Sequence, residues 1–600
     1  MAVGQIPLEL EVSPWAFLTS RRTPWWLETE CWVLGLIAFS MLWLAPLETP
    51  LSLPEATIGR AAREMLLTGD WVVPRCQEVP IPQIAPLQVW LIAIVATIQG
   101  DVDAWSIRLP TLLAFWLTVQ LLYAYCRQFI GTVGSLGAGL MFLTTVGVQM
   151  QSGVGSALPI TAFFLTFALL VWHIGWMEDW PDLIQWVVPY LALALAILSS
   201  GLFPAVVFGS SLACYLFLRR KEEYAITLGH LAALLLCGGL VGSWVLTYSV
   251  QTGINPWWAG SSNPLGQANP LWALLEHLVT FPLLVAATML LPWGLLLVVY
   301  LFDHFRRHLG DARPAVQFLS VCLLIPGALM WVDPRSTPAA ALLLLPGISV
   351  LTAIIVQRSV EAYPTSDWQF VWPTFLRWVV TATIGGLALA FAAKFFLPEK
   401  FVSLPWDVLN WSLAALVVLA IVIGRSTGRH PRQGLWAMGA VALLMTLTIA
   451  PPIRSFLQPP LVAHVPPFAA PRPLAGQMPE ISLGAIRADV LLKLDQPLPR
   501  QPWPQEHETL DVRHNIFCFM ESDHQSRRLP FSWKLVSRQE IAPTPEFPQK
   551  QWFVIGQRSE RAPGGNLSPW NDTGDNSSSS LPPGFPPENS ATRQELLRSL

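Results

Sequence analysis

Apolar runs of about 17–25 residues, the length of a membrane-crossing helix, recur along the first three quarters of the chain. They fall near 30–47, 106–126, 131–150, 157–177, 184–200, 202–218, 228–249, 279–302, 314–332, 337–357, 374–397, 408–424 and 434–451. The pattern predicts an all-α polytopic membrane protein with about thirteen transmembrane helices. Between the first two runs lies a polar-bearing outer loop, 48–105. From Pro54 onward, Ile58, Ala62, Met65 and Leu66 share one helical face, Arg60, Arg63 and Glu64 share another, and Gly69 offers a stop. An amphipathic helix lying on the membrane surface is expected there. Pro80, Pro82 and Pro86 interrupt the next stretch, and 86–99 is apolar but short, which suits an interfacial or partly inserted helix.

Composition sharpens this picture. Of 600 residues, 53% are hydrophobic and only 12% charged, where a soluble domain carries about a quarter charged. A formal net charge of −3 provides no basic footprint for nucleic acid. The seven cysteines (Cys31, Cys76, Cys126, Cys214, Cys237, Cys322 and Cys518) form no CxxC or Cys/His cluster, so neither a zinc site nor a disulfide framework is expected. Positive charge alternates from loop to loop: Arg21 and Arg22, then Arg127, then Arg219, Arg220 and Lys221, then Arg306 and Arg307, then Arg425, Arg429 and Arg432. The positive-inside rule then places the N-terminus in the cytoplasm and the C-terminus outside, with the first apolar run a retained anchor.

The chain changes character near 454. Proline is dense between Pro451 and Pro504, and three β-rich runs come after it at Leu510–Met520, Phe531–Val536 and Gln551–Gln557. The expected organisation is a cytoplasmic N-terminus (1–29), a membrane domain (30–453), a small extracytoplasmic α/β domain (454–561) and a disordered Gly/Ser/Asn/Pro-rich tail (562–600). Glycosylation-type triplets at Asn566, Asn571 and Asn576 match what such a composition yields by chance.

The block REMLLTGDWVVP (Arg63–Pro74), together with RLP (Arg108–Pro110), LLPWGLLL (Leu290–Leu297) and the proline spacing of PAAALLLLPG, resembles the GT-C membrane glycosyltransferases. Within them the chain is most similar to the bacterial aminoarabinose transferases and their protein O-mannosyltransferase relatives, over roughly 30–360. That resemblance implies a GT-C membrane domain and a polyprenyl-phosphate sugar as donor, with transfer on the outer face and no other cofactor. It also exposes departures. Where the family has an Asp-Glu pair opening the outer helix, this chain has Pro54-Glu55. A Glu-Lys-Pro-like triplet is replaced by Gln83, Ile84 and Ala85, a second Asp by Leu158 before Pro159, and a Lys-Gly pair by Ser200-Gly201.

Sugar transfer from a lipid phosphate needs a carboxylate to activate the acceptor and cations to hold the leaving phosphate. Glu55 is the one carboxylate left at a family position. It is either a general base or a helix N-terminal residue favoured by the helix dipole. Arg335, Arg108 and Arg63 are the candidate phosphate contacts. Against these stand a solvated loop charge for Arg335, a snorkelling side chain for Arg108 and a local ion pair with Glu64 for Arg63. Asp70 reads as a turn residue, and Glu276 and His277 as a weaker acid/base pair. With the two family aspartates replaced, no bound metal is expected. Two functions are compatible with this pattern. One is a glycosyltransferase moving a sugar from a polyprenyl phosphate to an extracytoplasmic acceptor. The other is a catalytically degenerate GT-C protein that binds membrane lipid or joins a membrane-protein partner. A transporter is disfavoured, because the spans carry almost no ionisable residues. A bacterial cytoplasmic membrane is the expected location.

Overall fold

The structure is a computed structural model. It describes residues 25–43, 51–257 and 270–361 (apart from 304, 306–308 and 310–311) and, with gaps, 367–381 and 479–558. These form two compact units, a helical one up to residue 381 and a second made of Gln77–Val79 with residues 479–558.

In the helical unit α1 spans Thr29–Trp43, and the outer-loop helices are α2, Leu53–Thr68, and α3, Pro86–Gln99. Between them lie the two-residue strands β1, Arg75–Cys76, and β2, Val79–Pro80. Then come α4, Ala104–Cys126; α5, Thr132–Thr144; α6, Val146–Gln151; α7, Ala157–Met177; α8, Asp182–Ser200; α9, Phe203–Arg219; and α10, Leu228–Thr252. α11 is Pro270–Val285, α12 is Arg313–Val332 and α13 is Leu345–Glu361.

Six helices among the described residues are long and apolar enough to cross a membrane, or seven if the bent pair around Leu291 is one span. The count of thirteen is therefore not reproduced among them. The predicted runs 408–424 and 434–451, and 374–397 beyond residue 381, lie outside the described residues. Two others are not straight spans. The run 131–150 divides at Thr145, whose extended backbone (ψ 133°) separates α5 from α6. Thirteen residues of α-helix reach only about 20 Å, short of the ~30 Å hydrocarbon core. The run 279–302 bends by 117° between Leu274–Leu290 and Trp293–Leu301. Pro292 at the bend has no amide proton to continue the ladder. The two breaks satisfy one another: Val146 N donates to Leu291 O at 3.0 Å and Trp293 Nε1 to Thr144 Oγ1 at 2.8 Å. Backbone groups freed inside a bilayer need such partners.

The second unit contains a mixed five-stranded sheet in the order β4-β3-β5-β7-β6. Its strands are β3, Ile481–Leu483; β4, Arg500–Gln501; β5, Ile516–Ser522; β6, Trp533–Ile541; and β7, Gln551–Arg558. β3 pairs in parallel with β4 and β5, whereas β7 is antiparallel to both β5 and β6. The last three strands overlap the β-rich runs of the sequence, with β5 and β6 running past the predicted ends at Met520 and Val536. Phe517, Phe519 and Val554 fill one face of the sheet, with Trp503, Phe531 and Trp533 packed over them.

Candidate functional site

The site begins with the way α2 starts. Ser52 is its N-cap, Pro54 sits in the first turn and Glu55 is the third helical residue. Proline is well placed there, since its fixed φ suits the helix and its missing N–H would have no intrahelical partner. Ser52 and Glu55 form a reciprocal capping box: Glu55 N donates to Ser52 Oγ at 3.4 Å, and Ser52 N donates to Glu55 Oε2 at 2.8 Å. The helix ends at Gly69, which adopts φ 73°, and its N–H donates to Met65 O at 2.9 Å.

The Glu55 carboxylate is then claimed from two further directions. Arg108, in the second turn of α4, donates from Nε to Oε1 at 2.7 Å and from Nη2 to Oε2 at 3.2 Å. Gly155, just before α7, donates its backbone N–H to Oε1 at 2.8 Å. Ser52 Oγ also donates to Oε2 at 2.8 Å. One carboxylate thus ties together the start of α2, the start of α4 and the turn into α7. Glu55 is 1% exposed and Arg108 3%. Burial alone would raise the Glu55 pKa. The Arg108 hydrogen bonds and charge, with the N–H groups of Ser52 and Gly155, outweigh it and hold the carboxyl below its ordinary value. Gly155 is required by space as well: a Cβ there would stand 2.9 Å from Ile107 O and 2.8 Å from Ile107 Cγ2.

The polar face of α2 turns inward instead of meeting water or headgroups. Arg60 is fully buried and pairs with Glu64 at 3.0 Å. Arg63 reaches beyond its own helix, with Nη2 2.6 Å from Asp101 Oδ1 and 3.1 Å from Val102 O. Asp70 closes the turn after α2, accepting from Val72 N at 3.0 Å and Val73 N at 3.3 Å, with Arg75 beside it at 3.4 Å. Two indoles pin the same turn: Trp90 Nε1 donates to Trp71 O and Trp244 Nε1 to Val72 O.

Of the four residues singled out from sequence, Glu55 and Arg108 stand in direct contact. Arg63 lies on the same helix as Glu55 but is engaged with Asp101. Arg335 sits in the loop after α12, 54% exposed at its side chain, with Asp333 as its neighbour at 3.4 Å. His277 Nε2 lies 3.3 Å from Met330 O, and Glu276 is exposed. Ser52, Asp101 and Gly155 were not anticipated. The Ser-x-x-Glu spacing of Ser52 and Glu55 was the available signal for the first; Asp101 and Gly155 carry no local signal. Among the described residues no three His, Cys, Asp or Glu side chains stand together as a metal set.

The chain is an integral membrane protein with the fold of the GT-C membrane glycosyltransferases. Residues 82–244 match the family described as dolichyl-phosphate-mannose-protein mannosyltransferase. Within the class it resembles the aminoarabinose transferases. An undecaprenyl phosphate-alpha-4-amino-4-deoxy-L-arabinose arabinosyl transferase of Pseudomonas fluorescens is 24% identical over 441 residues, covering 70% of this chain and 74% of the relative. That of Pseudomonas paraeruginosa is 26% identical over 447 residues, covering 70% and 75%. The crystal structure of ArnT from Cupriavidus metallidurans bound to undecaprenyl phosphate superposes with a TM-score of 0.64 at 15% identity, covering 88% of this chain and 98% of that one.

Proposed function

We propose that this protein is a GT-C-fold membrane protein that holds a polyprenyl phosphate without ordinary sugar transfer, acting as a lipid-binding or structural component of a membrane assembly. One observation carries the reading. The one carboxylate left at a family position, Glu55, accepts hydrogen bonds from Arg108, Gly155 and Ser52 on its two oxygens. A general base must offer a lone pair to the proton it removes, with a pKa near the working pH. Glu55 is committed and held ionised, which suits a strut. Pro54 and Leu158 provide no replacement carboxylate.

Lipid binding in this reading uses Arg335, whose half-exposed guanidinium stands in an outer-face loop beside Asp333. A phosphate monoester would compete with that single carboxylate, and guanidinium binds phosphate through two parallel hydrogen bonds. The orientation that suits this role puts the N-terminus in the cytoplasm and both Arg335 and the C-terminal unit outside, in a bacterial cytoplasmic membrane.

The test is direct. Purified protein is titrated with undecaprenyl phosphate by native mass spectrometry, then incubated with polyprenyl-phosphate sugars. Binding without transfer or donor hydrolysis is expected. Turnover that disappears in Glu55→Gln overturns the reading in favour of an active glycosyltransferase. That second reading is favoured by the similarity to the aminoarabinose transferases over 70% of the chain; in it Glu55 is the base, and Arg108, Arg63 and Arg335 serve the phosphate.

A further inference from the structure

The tip of the outer loop is not built from the residues a two-residue hairpin favours. β1 and β2 are joined by Gln77 and Glu78, with φ 52° and 67°. Both values lie in the left-handed region, where Asn-Gly or Gly-Gly is the usual choice and a longer side chain strains the backbone. Glu78 is exposed, whereas Gln77 is only 4% exposed. A residue that the turn disfavours and the solvent does not reach must be kept for what its side chain does.

The Gln77 amide is used at both of its atoms. Nε2 donates to Ser482 Oγ at 2.8 Å, and Oε1 accepts from Ile486 N at 3.0 Å. Ser482 is 0% exposed in β3, and its hydroxyl donates onward to Gly484 O at 3.2 Å. The reverse orientation of the amide would set its NH2 against the Ile486 N–H, so the two bonds hold the side chain in one sense. Gln77–Val79 are accordingly part of the C-terminal unit, while Cys76 and Pro80 on either side belong to the helical one. The base of the hairpin is fixed separately: Ile81 N donates to Pro74 O at 2.9 Å, and Asp70 holds Arg75 at 3.4 Å.

We propose that Gln77 is a key that locks the tip of the outer loop into the C-terminal unit. That unit is then built from two stretches 405 residues apart, and it acts as a strap on the loop that carries Glu55. Loosening either partner frees the other. The strap is independent of the outer-loop chemistry and stands whether or not the protein transfers sugar.

Hydrogen–deuterium exchange of the full chain in nanodiscs, read by mass spectrometry, tests the strap from both sides. Gln77→Gly suits the left-handed turn better than glutamine but has no amide. It is expected to speed exchange at residues 482–492 about tenfold, through the loss of two buried hydrogen bonds. Glu78→Gly relaxes the same turn with Gln77 in place and should leave that exchange at the wild-type rate. In the other direction, Ser482→Ala, a small change within the sheet, should speed exchange across the hairpin 75–81 several-fold. The double variant of Gln77→Gly and Ser482→Ala should exchange little faster than Gln77→Gly alone. Should Gln77→Gly fail to fold, Gln77→Asn, which tolerates the turn but is one methylene too short, is read in the same way. Exchange at 482–492 that Gln77→Gly leaves unchanged or slows, or a hairpin that keeps its wild-type rate in Ser482→Ala, overturns the proposal.

Discussion

Replacing Glu55 with glutamine separates a strut from a base. The substitution keeps the size of the side chain but removes its charge and turns one acceptor oxygen into a donor amide. If the amide takes the Oε2 position, it faces Arg108 Nη2 and Ser52 N; if it takes the Oε1 position, it faces Arg108 Nε and Gly155 N. Either way the buried Arg108, 3% exposed, loses the negative charge that faces it at 2.7 Å. Breaking a buried ion pair from one side costs about 3–5 kcal/mol. Tm shifts by the destabilisation divided by the unfolding entropy, which for a chain of this size is about 1 °C per kcal/mol, so a fall of roughly 3–5 °C in Tm is expected. The assay is thermal unfolding in detergent of wild type, Glu55→Gln, Arg108→Met and the double variant. A coupling energy of a few kcal/mol is expected, with the double variant recovering part of the loss because both members of the pair are gone. Single variants that unfold within a degree or two of wild type, with near-zero coupling, would refute the strut. If such a silent Glu55→Gln also abolished turnover, the carboxylate would be catalytic.

Acidification probes the same carboxylate without a mutation. Because the Glu55 pKa is lowered in the folded protein, its contribution is full above the ordinary carboxyl value of 4.5 and is lost as pH falls through the lower folded value; Tm should drop on acidification below about 4.5, and less so in Glu55→Gln. Gly155→Ala forces its new methyl against the Ile107 carbonyl and displaces the N–H that Glu55 accepts; a loss of about 1–3 kcal/mol in thermal unfolding is expected. Ser52→Ala removes the N-cap of α2 and should cost about 1 kcal/mol by the same measurement. Arg335→Ala should leave stability within about 0.5 kcal/mol, as an exposed substitution does, while weakening undecaprenyl phosphate binding in native mass spectrometry.

The outer helix was readable because its signals are local. Proline near its start, a three-four apolar spacing and a terminal glycine all lie within one window, and α2 begins and ends where they say. What its polar residues do was not readable. A charged stripe suggests a wetted face, but Arg63 finds Asp101 and Glu55 finds Arg108 and Gly155, partners that only the tertiary fold brings close. An arginine opening a span suggests a side chain reaching for the interface; Arg108 turns inward. The breaks at Thr145 and Leu291 were hidden for another reason. Hydropathy runs smoothly across both, and the bonds that make them tolerable join residues distant in sequence. The strands of the second unit were legible as β-rich runs, but the parallel pairing of β3 with β4 and β5 was not.

The paired breaks bear on how the protein is made. α5 emerges from the ribosome as a helix too short to cross the bilayer, and after it comes, at Val146, an amide that its own segment does not satisfy. Its acceptor, Leu291 O, does not yet exist, and neither does the indole of Trp293 that later meets Thr144. The pairing of the two breaks can therefore be completed only once residues 291–293 have been synthesised, well after α5 and α6 themselves.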